Sequence, residues 1–544
     1  MKTYNKIILM VAASLFTAAC AELDTFPEGE TVTEDQKKAI AEKAPERMVA
    51  DLNGMYAILG KINGIYVRDN EFGYPSVAIS LECSGADLFG PNDGYNWYTT
   101  ESAFEDRNYT YADPHTRWQL FYNQIRAANA LLSTITADVK TQELKHYRGQ
   151  ALAVRAFAYF NLVQLYQFTC KGNETAPAVP LIEEGTETVA NPRASVSEVY
   201  TLITRDLDEA IILLEGFTRT NKAFVNQQVA YGIRARVNLV KEEWGAAASD
   251  AEKAMQGFGF LSRSDVSKPS FNSAEASSWM WAILMNPAII SNNLATWQSK
   301  LSSFTGYGYT TAVGMYKCIN VLLWNKIPST DVRKGWWVDS QLNSPLLNGL
   351  SWPGYPGQPI GPLQIPDIKM PYIPYTNVKF GPYKDVLGND ENAGDWCLMR
   401  AEEMLLIRVE GLAKSGDPGG AKSLLESFIQ AYRNPSYTCS ASSADALQNE
   451  VWLQRRIELW GEGFAFYDRH RLKKNMVRVQ AGIESNFPEE WQFNMRADDG
   501  WLLNRIPSSE INANDAISED QNNKDGQIPK AGDGAGLTDG VVVL

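Results

Sequence analysis

Histidine is almost missing from this 544-residue chain, which holds only His115, His146 and His470. A multi-histidine metal site is thereby excluded, and imidazole acid–base chemistry has few places to occur. Cysteine is scarce too. Beyond Cys20 there are Cys83, Cys170, Cys318, Cys397 and Cys439, widely scattered and odd in number. That pattern fits neither a disulfide framework nor a paired CxxC metal site, so buried thiols are expected. No GxSxG elbow, P-loop, HExxH or strand-borne GxGxxG is present, which removes the usual hydrolase, nucleotide and metalloenzyme signatures together. Positive charge is in deficit, 50 Lys and Arg against 64 Asp and Glu for a formal −14, and such a field repels nucleic acid. The one basic cluster, Arg469-His470-Arg471-Leu472-Lys473-Lys474, reads as a polar helix end. Past the N-terminus no apolar run approaches the roughly 18 residues of a membrane span.

The first twenty residues show Lys2 and Lys6, the apolar run Ile7 to Phe16, then Thr17-Ala18-Ala19-Cys20. This order of basic, apolar and small residues is that of a secretory signal. A cysteine directly after Ala-Ala resembles a bacterial lipoprotein signal, in which cleavage leaves Cys20 at the N-terminus for acylation. Thr17 stands where that pattern usually has leucine, and plain cleavage with unmodified Cys20 is the alternative. Losing residues 1–19 removes Lys2 and Lys6, leaving 48 basic against 64 acidic residues, or −16. The expected division is a signal over 1–19 and a single domain over 20–544.

At 44% hydrophobic and 21% charged residues the composition is that of a globular protein. Helical periodicity is clearest from Arg148 to Tyr166, where Leu152, Ala156, Tyr159, Val163 and Tyr166 recur at steps of four and three beside a second face of Ala153, Phe157 and Phe160. A helix apolar on two faces packs between neighbours. Residues 225–255 read as helix, break, helix, with Tyr231, Ala235, Ala247 and Ala254 in tetratricopeptide-like positions. A weaker copy, 401–428, carries Leu405, Ala421 and Leu425 about a Gly-Asp-Pro-Gly turn. Further helices are expected at 33–60, 114–136, 195–216 and 446–475. Residues 261–395 hold 12 of the 25 prolines and 7 of the 15 tryptophans. Long helices cannot run through that proline spacing, so the segment reads as a loop-rich excursion. The fold expected is mostly α: a tetratricopeptide-like scaffold over 33–260 and 396–475, the Pro/Trp-rich excursion 261–395, and an extended tail over 476–544.

Aromatic residues in loop-like surroundings are the positive signal. They are Tyr95, Trp97 and Tyr98 in PNDGYNWYTT, Tyr307 and Tyr309 in FTGYGYTT, and Trp352 and Tyr355 in SWPGYPGQP. Exposed rings of this kind stack on the C–H face of a sugar, and Asn92, Asp93 and Asn96 beside them offer hydrogen bonds to hydroxyls. The alternative is that the rings pin loops to the scaffold. Trp118, Trp244, Trp279, Trp281, Trp452 and Trp460 fall in periodic segments and are expected in the core. Glu458 and Glu462, one turn apart on an expected helix, read as a solvated or salt-bridged face. Asp520 to Gly526 fails calcium-loop spacing.

Six segments in order resemble the SusD/RagB-like nutrient-binding lipoproteins of the Bacteroidetes outer membrane. They are Cys20 with Glu22-Leu23-Asp24 and Pro27; Trp118, Tyr122, Ile125 and Asn129; the helix RGQALAVRAFAYFNLVQLY before Pro180-Leu181; Asp331 and Arg333; MRAEEMLLIRVEGLAKSGD with QRRIELWGEGFAFYDRHRL, carrying Glu458, Glu462, Gly463 and Asp468; and Ile506, Pro507, Glu510 and Asn514. The resemblance implies a lipid-anchored protein on the outer face of the outer membrane, attached through Cys20. It also implies capture of a glycan, or in some members a peptide-derived nutrient, and its delivery without catalysis or cofactor to a SusC-like TonB-dependent transporter. Trp97 is the leading candidate contact, with Tyr95, Tyr98, Asn96, Asp93, Tyr307, Tyr309, Trp352 and Tyr355 around it. Two alternatives stand: a glycan-cleaving enzyme using Asp87 or Asp93 with Asp331, and a helical-repeat scaffold that binds only protein.

Overall fold

A computed structural model describes residues 34–543. The leader and Cys20 lie outside the described residues. Eleven helices of nine residues or more carry the architecture: α1 Glu34–Lys43, α2 Val49–Ala57, α3 Tyr74–Cys83, α4 Ala112–Thr134, α5 Gln142–Tyr166, α6 Val196–Leu213, α7 Gln227–Val240, α8 Trp244–Ala254, α9 Ala401–Lys414, α10 Pro418–Tyr432 and α11 Ala444–Glu458. From α4 to α9 each helix packs on the next, and α9 carries both α10 and α11. Local chemistry sets several starts: Ser195 and Glu198 form a capping box on α6, and Asn226, Asp417 and Ser443 cap α7, α10 and α11. As expected, α5 is enclosed, with every residue from Tyr147 to Tyr166 buried. Its alanines let α4 and α6 approach closely, and Ala235, Ala247, Ala254 and Ala421 do the same for the later helices.

α8 and α9 are neighbours in space although residues 255–400 separate them in sequence. The excursion therefore leaves the scaffold and returns to the same place. Its stem is the antiparallel pair Trp279–Ile283 with Trp396–Arg400, and its longest helices have five and six residues, Trp297–Leu301 and Val321–Lys326. A second short pair joins Leu88–Phe89 to Cys318–Ile319, so the loop after Phe89 is stitched to the excursion. The last residues run back over the scaffold: Asn504 and Asn523 bond the Leu165 and Tyr166 backbone at the end of α5, and Glu510 accepts from the Trp118 indole.

Several expectations need correction. All five described cysteines are free and buried, as expected, but Trp244 is only half-buried while the other five core tryptophans are enclosed. The 469–474 cluster is not a solvated helix end, because Arg469, His470 and Arg471 point inward. Glu458 and Glu462 are salt-bridged, one of the two expectations, but they do not share a helix face: α11 ends at Glu458, and Glu462 belongs to the following turn, where Gly461 and Gly463 hold positive φ. Both carboxylates are buried. Glu458 meets Arg433 at 2.7 Å, Arg400 at 2.8 Å and Arg333 at 3.2 Å. Glu462 meets Lys379 at 2.6 Å and Arg400 at 2.8 Å, while Glu402 meets Arg400 at 3.2 Å and Asp331 meets Arg333 at 2.7 Å. Burial pushes the Glu458 carboxyl up, but Arg433, Arg400 and Arg333 outweigh it and hold the group well below the usual carboxylate range.

Two stability predictions follow from these buried acids. Glu458→Gln leaves Arg333, Arg400 and Arg433 short of charge, and urea unfolding is expected to show a loss of about 3–5 kcal/mol. Glu82, in the last turn of α3, accepts the Gly463, Phe464 and Ala465 N–H groups, yet burial raises it to about 7. Its folded form thus keeps a proton that the unfolded chain releases near the ordinary carboxylate value. Stability is fully present below that value and falls as pH rises toward 7. Glu82→Gln should abolish this decline, worth about 2–4 kcal/mol, when unfolding midpoints at pH 5 and pH 8 are compared.

Candidate functional site

Four chain segments meet around Trp97. The loop 61–70 is closed by the Ile62–Phe72 bridge and carries Arg68, Asp69 and Asn70. The loop 90–98 leaves the Leu88–Phe89 strand and is stiffened by an Asx turn, with Asp93 Oδ1 accepting the Tyr95 N–H at 2.9 Å. The helix Trp297–Leu301, capped by Thr296, supplies Lys300. The loop 305–311 folds back over that helix, with the Tyr309 N–H donating to Ser299 Oγ at 3.2 Å and the Thr310 N–H to the Ser299 carbonyl at 3.1 Å. Glycine is required here: a Cβ on Gly306 would lie 2.1 Å from the Gly388 carbonyl oxygen, and one on Gly308 2.7 Å from Thr305 Oγ1. The close passage at Gly306 also brings the 386–389 segment, and with it Trp352 and Pro353 packed on Gly388, beside this loop.

The rings of Trp97 and Tyr309 stand edge to face, centroids 6.3 Å apart and planes at 85°. Both are half-buried. Their orientation is fixed from behind. The Tyr309 hydroxyl donates to Asp69 Oδ2 at 2.5 Å, and Asn292 donates to Asp69 Oδ1 at 2.7 Å. Burial and then the bond to Asp69 push the Tyr309 phenol up to about 12, so it remains a donor at any physiological pH. The Lys300 amine lies 3.3 Å from the Tyr309 centroid and 5.3 Å from that of Trp97, and the Arg68 guanidinium is 5.9 Å from Trp97. Tyr95 and Tyr307, each two residues from a ring of the pair, are 60% and 51% exposed. The result is a fixed right-angled aromatic pair with mobile-length polar and aromatic side chains at its rim. Such a surface offers apolar contact from the rings and hydrogen-bonding groups in the loops that carry them.

The remaining sequence candidates divide. Asp93 is exposed and Tyr355 half-buried. Tyr98 and Trp352, expected to be exposed, are enclosed at 1% and 4%. Tyr98 turns into the core as the residue before a short helix, and Trp352 packs near Lys369, whose amine is 5.5 Å from its ring. Asn96 is also buried, donating to the Pro91 carbonyl and accepting from Lys317 at 3.2 Å, so its amide shapes the loop. The acids invoked for cleavage are committed elsewhere: Arg456 grips both oxygens of Asp87 at 2.6 and 2.8 Å, and Arg333 grips those of Asp331 at 2.7 and 3.0 Å. Sequence reasoning missed Arg68, Asp69, Asn292 and Lys300. The run Arg68-Asp69-Asn70 before Gly73 carries turn composition that marks a polar loop, whereas nothing in WQSKL distinguishes Lys300 from an ordinary helix charge. Among the described residues no cluster of His, Cys, Asp and Glu is arranged to hold a metal ion, and no helix is long and apolar enough to cross a membrane.

Two family models match the chain. One, described as "Starch-binding associating with outer membrane", covers residues 76–239, and the "SusD family" model covers 360–524. No curated protein matches it in sequence. Among solved structures, a SusD-like carbohydrate-binding protein of Bacteroides vulgatus superposes with a TM-score of 0.70 at 23% identity, over 87% of this chain and 97% of its own. A SusD superfamily protein of Bacteroides thetaiotaomicron gives 0.66 at 19%, over 91% and 100%. A laminarin-binding SusD-like protein gives 0.61 at 19%, over 86% and 97%. These structures superpose over most of the chain, and the two family matches fall in its N-terminal and C-terminal parts: the chain belongs to the SusD/RagB-like family.

Proposed function

We propose that this protein is a glycan-capturing lipoprotein of the cell surface, anchored through Cys20 to the outer membrane and facing outward. It holds an oligo- or polysaccharide on Trp97 and Tyr309 and passes it, without catalysis or cofactor, to a SusC-like TonB-dependent transporter. The observation that carries this reading is the fixed right-angled pair of half-buried rings, with Tyr95, Tyr307 and Asp93 at its rim. A sugar ring has an apolar C–H face and a polar hydroxyl edge, and the pair offers a partner for each. The ion pairs that occupy Asp87 and Asp331 weigh against the cleavage alternative built on them. The carbohydrate-binding relatives lend the reading weight by kinship.

Calorimetry of residues 21–544 against plant, host and microbial polysaccharides is the test. Binding by at least one glycan is expected, with Trp97→Ala weakening it about five- to thirty-fold while the fold is kept, in line with the loss of about 1–2 kcal/mol from an aromatic contact. Glycan binding indifferent to Trp97, Tyr307 and Tyr309 substitutions would reject the site, and no glycan binding at all would reject the function. Tyr309→Phe keeps the ring but releases Asp69; denaturant unfolding should register about 1–3 kcal/mol of lost stability.

A further inference from the structure

Lys300 is 2% exposed, and its amine has no hydrogen-bond partner among the described residues. An unpaired buried amine is costly and calls for an explanation. The charged groups facing it are Lys317, itself buried, and Asp69, whose two oxygens already serve Tyr309 and Asn292. Arg68 flanks the adjoining Trp97 ring, and its nearest acid is Asp113 at a loose 4.0 Å. Two basic groups, Lys300 and Arg68, thus flank the two rings, and the acids near them are Asp69, fully engaged, and Asp113, loosely held by Arg68. Screening over about 8–10 Å lets these near groups, and not the overall −14, decide what the rings attract.

Position sharpens the point. With the amine 3.3 Å from the Tyr309 centroid, its protonated form places a positive charge directly behind the ring. Acting through the ring, that charge favours an anionic substituent on a sugar bound against Tyr309. We propose that the Trp97–Tyr309 site selects an acidic glycan, one whose uronic-acid carboxylate lies against Tyr309 with Lys300 behind the ring and Arg68 beside Trp97. This inference rests on the glycan-capture reading above and names the substrate class of the same site.

A bound carboxylate favours the ammonium form of Lys300. Burial first, and then Lys317, hold that amine well below the usual lysine range in the free protein, with Asp69 opposing. Binding therefore draws in a proton, and affinity is greatest below the free-state value and declines as pH rises through it.

The experiment is calorimetry with oligogalacturonate, oligoalginate and hyaluronan fragments, each beside its carboxyl-reduced neutral counterpart, at low and high salt. At least one acidic oligosaccharide should bind about ten-fold or more tightly than its reduced form, with the preference shrinking in salt. Repeating the titration in buffers of different ionisation heat should reveal proton uptake by the wild-type protein. Lys300→Met, which replaces a partnerless amine by an apolar chain of similar length, should fold and lose both the preference and the proton uptake. Trp97-dependent binding with no preference for acidic over reduced forms would overturn the inference and leave glycan capture standing. So would a preference that survives Lys300→Met. Absence of binding by every glycan would overturn both.

Discussion

Glu458 is the point on which the architecture depends. It ends α11, yet the groups that neutralise it come from three distant places: Arg333 in the excursion, Arg400 at the end of the stem strand, and Arg433 after α10, with Arg400 also holding the acids Glu402 and Glu462. With Asp331 and Lys379, four carboxylates face four cations in a dry interior. Moving any one segment strands a charge, so the cluster fixes the excursion on the scaffold in a single arrangement. A loop-rich segment of 12 prolines with no long helix has little repetitive structure of its own to hold it. Ionic joinery at its root supplies what regular secondary structure does not.

That constraint extends to the ligand surface. The two candidate rings come from opposite sides of the joint: Trp97 follows a strand of the N-terminal scaffold region and Tyr309 follows a short helix of the excursion. The pairing of Leu88–Phe89 with Cys318–Ile319 and the bond from Tyr309 to Asp69 bridge the two. A ring geometry assembled from two such parts is only as well defined as their registration. This explains why residues resembling the family pattern, such as Asp331, Arg333, Glu458 and Glu462, fall in the ionic joint while the candidate ligand contacts lie outside it. Specificity can then vary in the loops over a fixed base.

Much of this was legible in the sequence, for physical reasons. Helical periodicity located α5, α7, α8, α9 and α10 because each buries a stripe of apolar and small residues, and proline spacing located the excursion because proline ends helices. Trp97 and Tyr309 were legible as aromatics among turn residues. Burial of Tyr98 and Trp352 was not, since a loop aromatic carries no mark of which way its ring turns. The inward orientation of His470 and Arg471, and of Glu458 and Glu462, was hidden for a related reason: charged residues read as solvated until their partners, separated by tens to hundreds of positions, are brought beside them. Lys300 is the extreme case, because its significance lies in the partner it lacks.

The most direct measurement is a crystal structure of the protein with a bound oligosaccharide identified by titration. Glycan capture on the aromatic pair predicts a sugar ring stacked within about 4 Å of Trp97 or Tyr309, with hydroxyls reaching the rim near Asp93 or Arg68. A sugar held elsewhere on the molecule, with both rings uncovered, would contradict it.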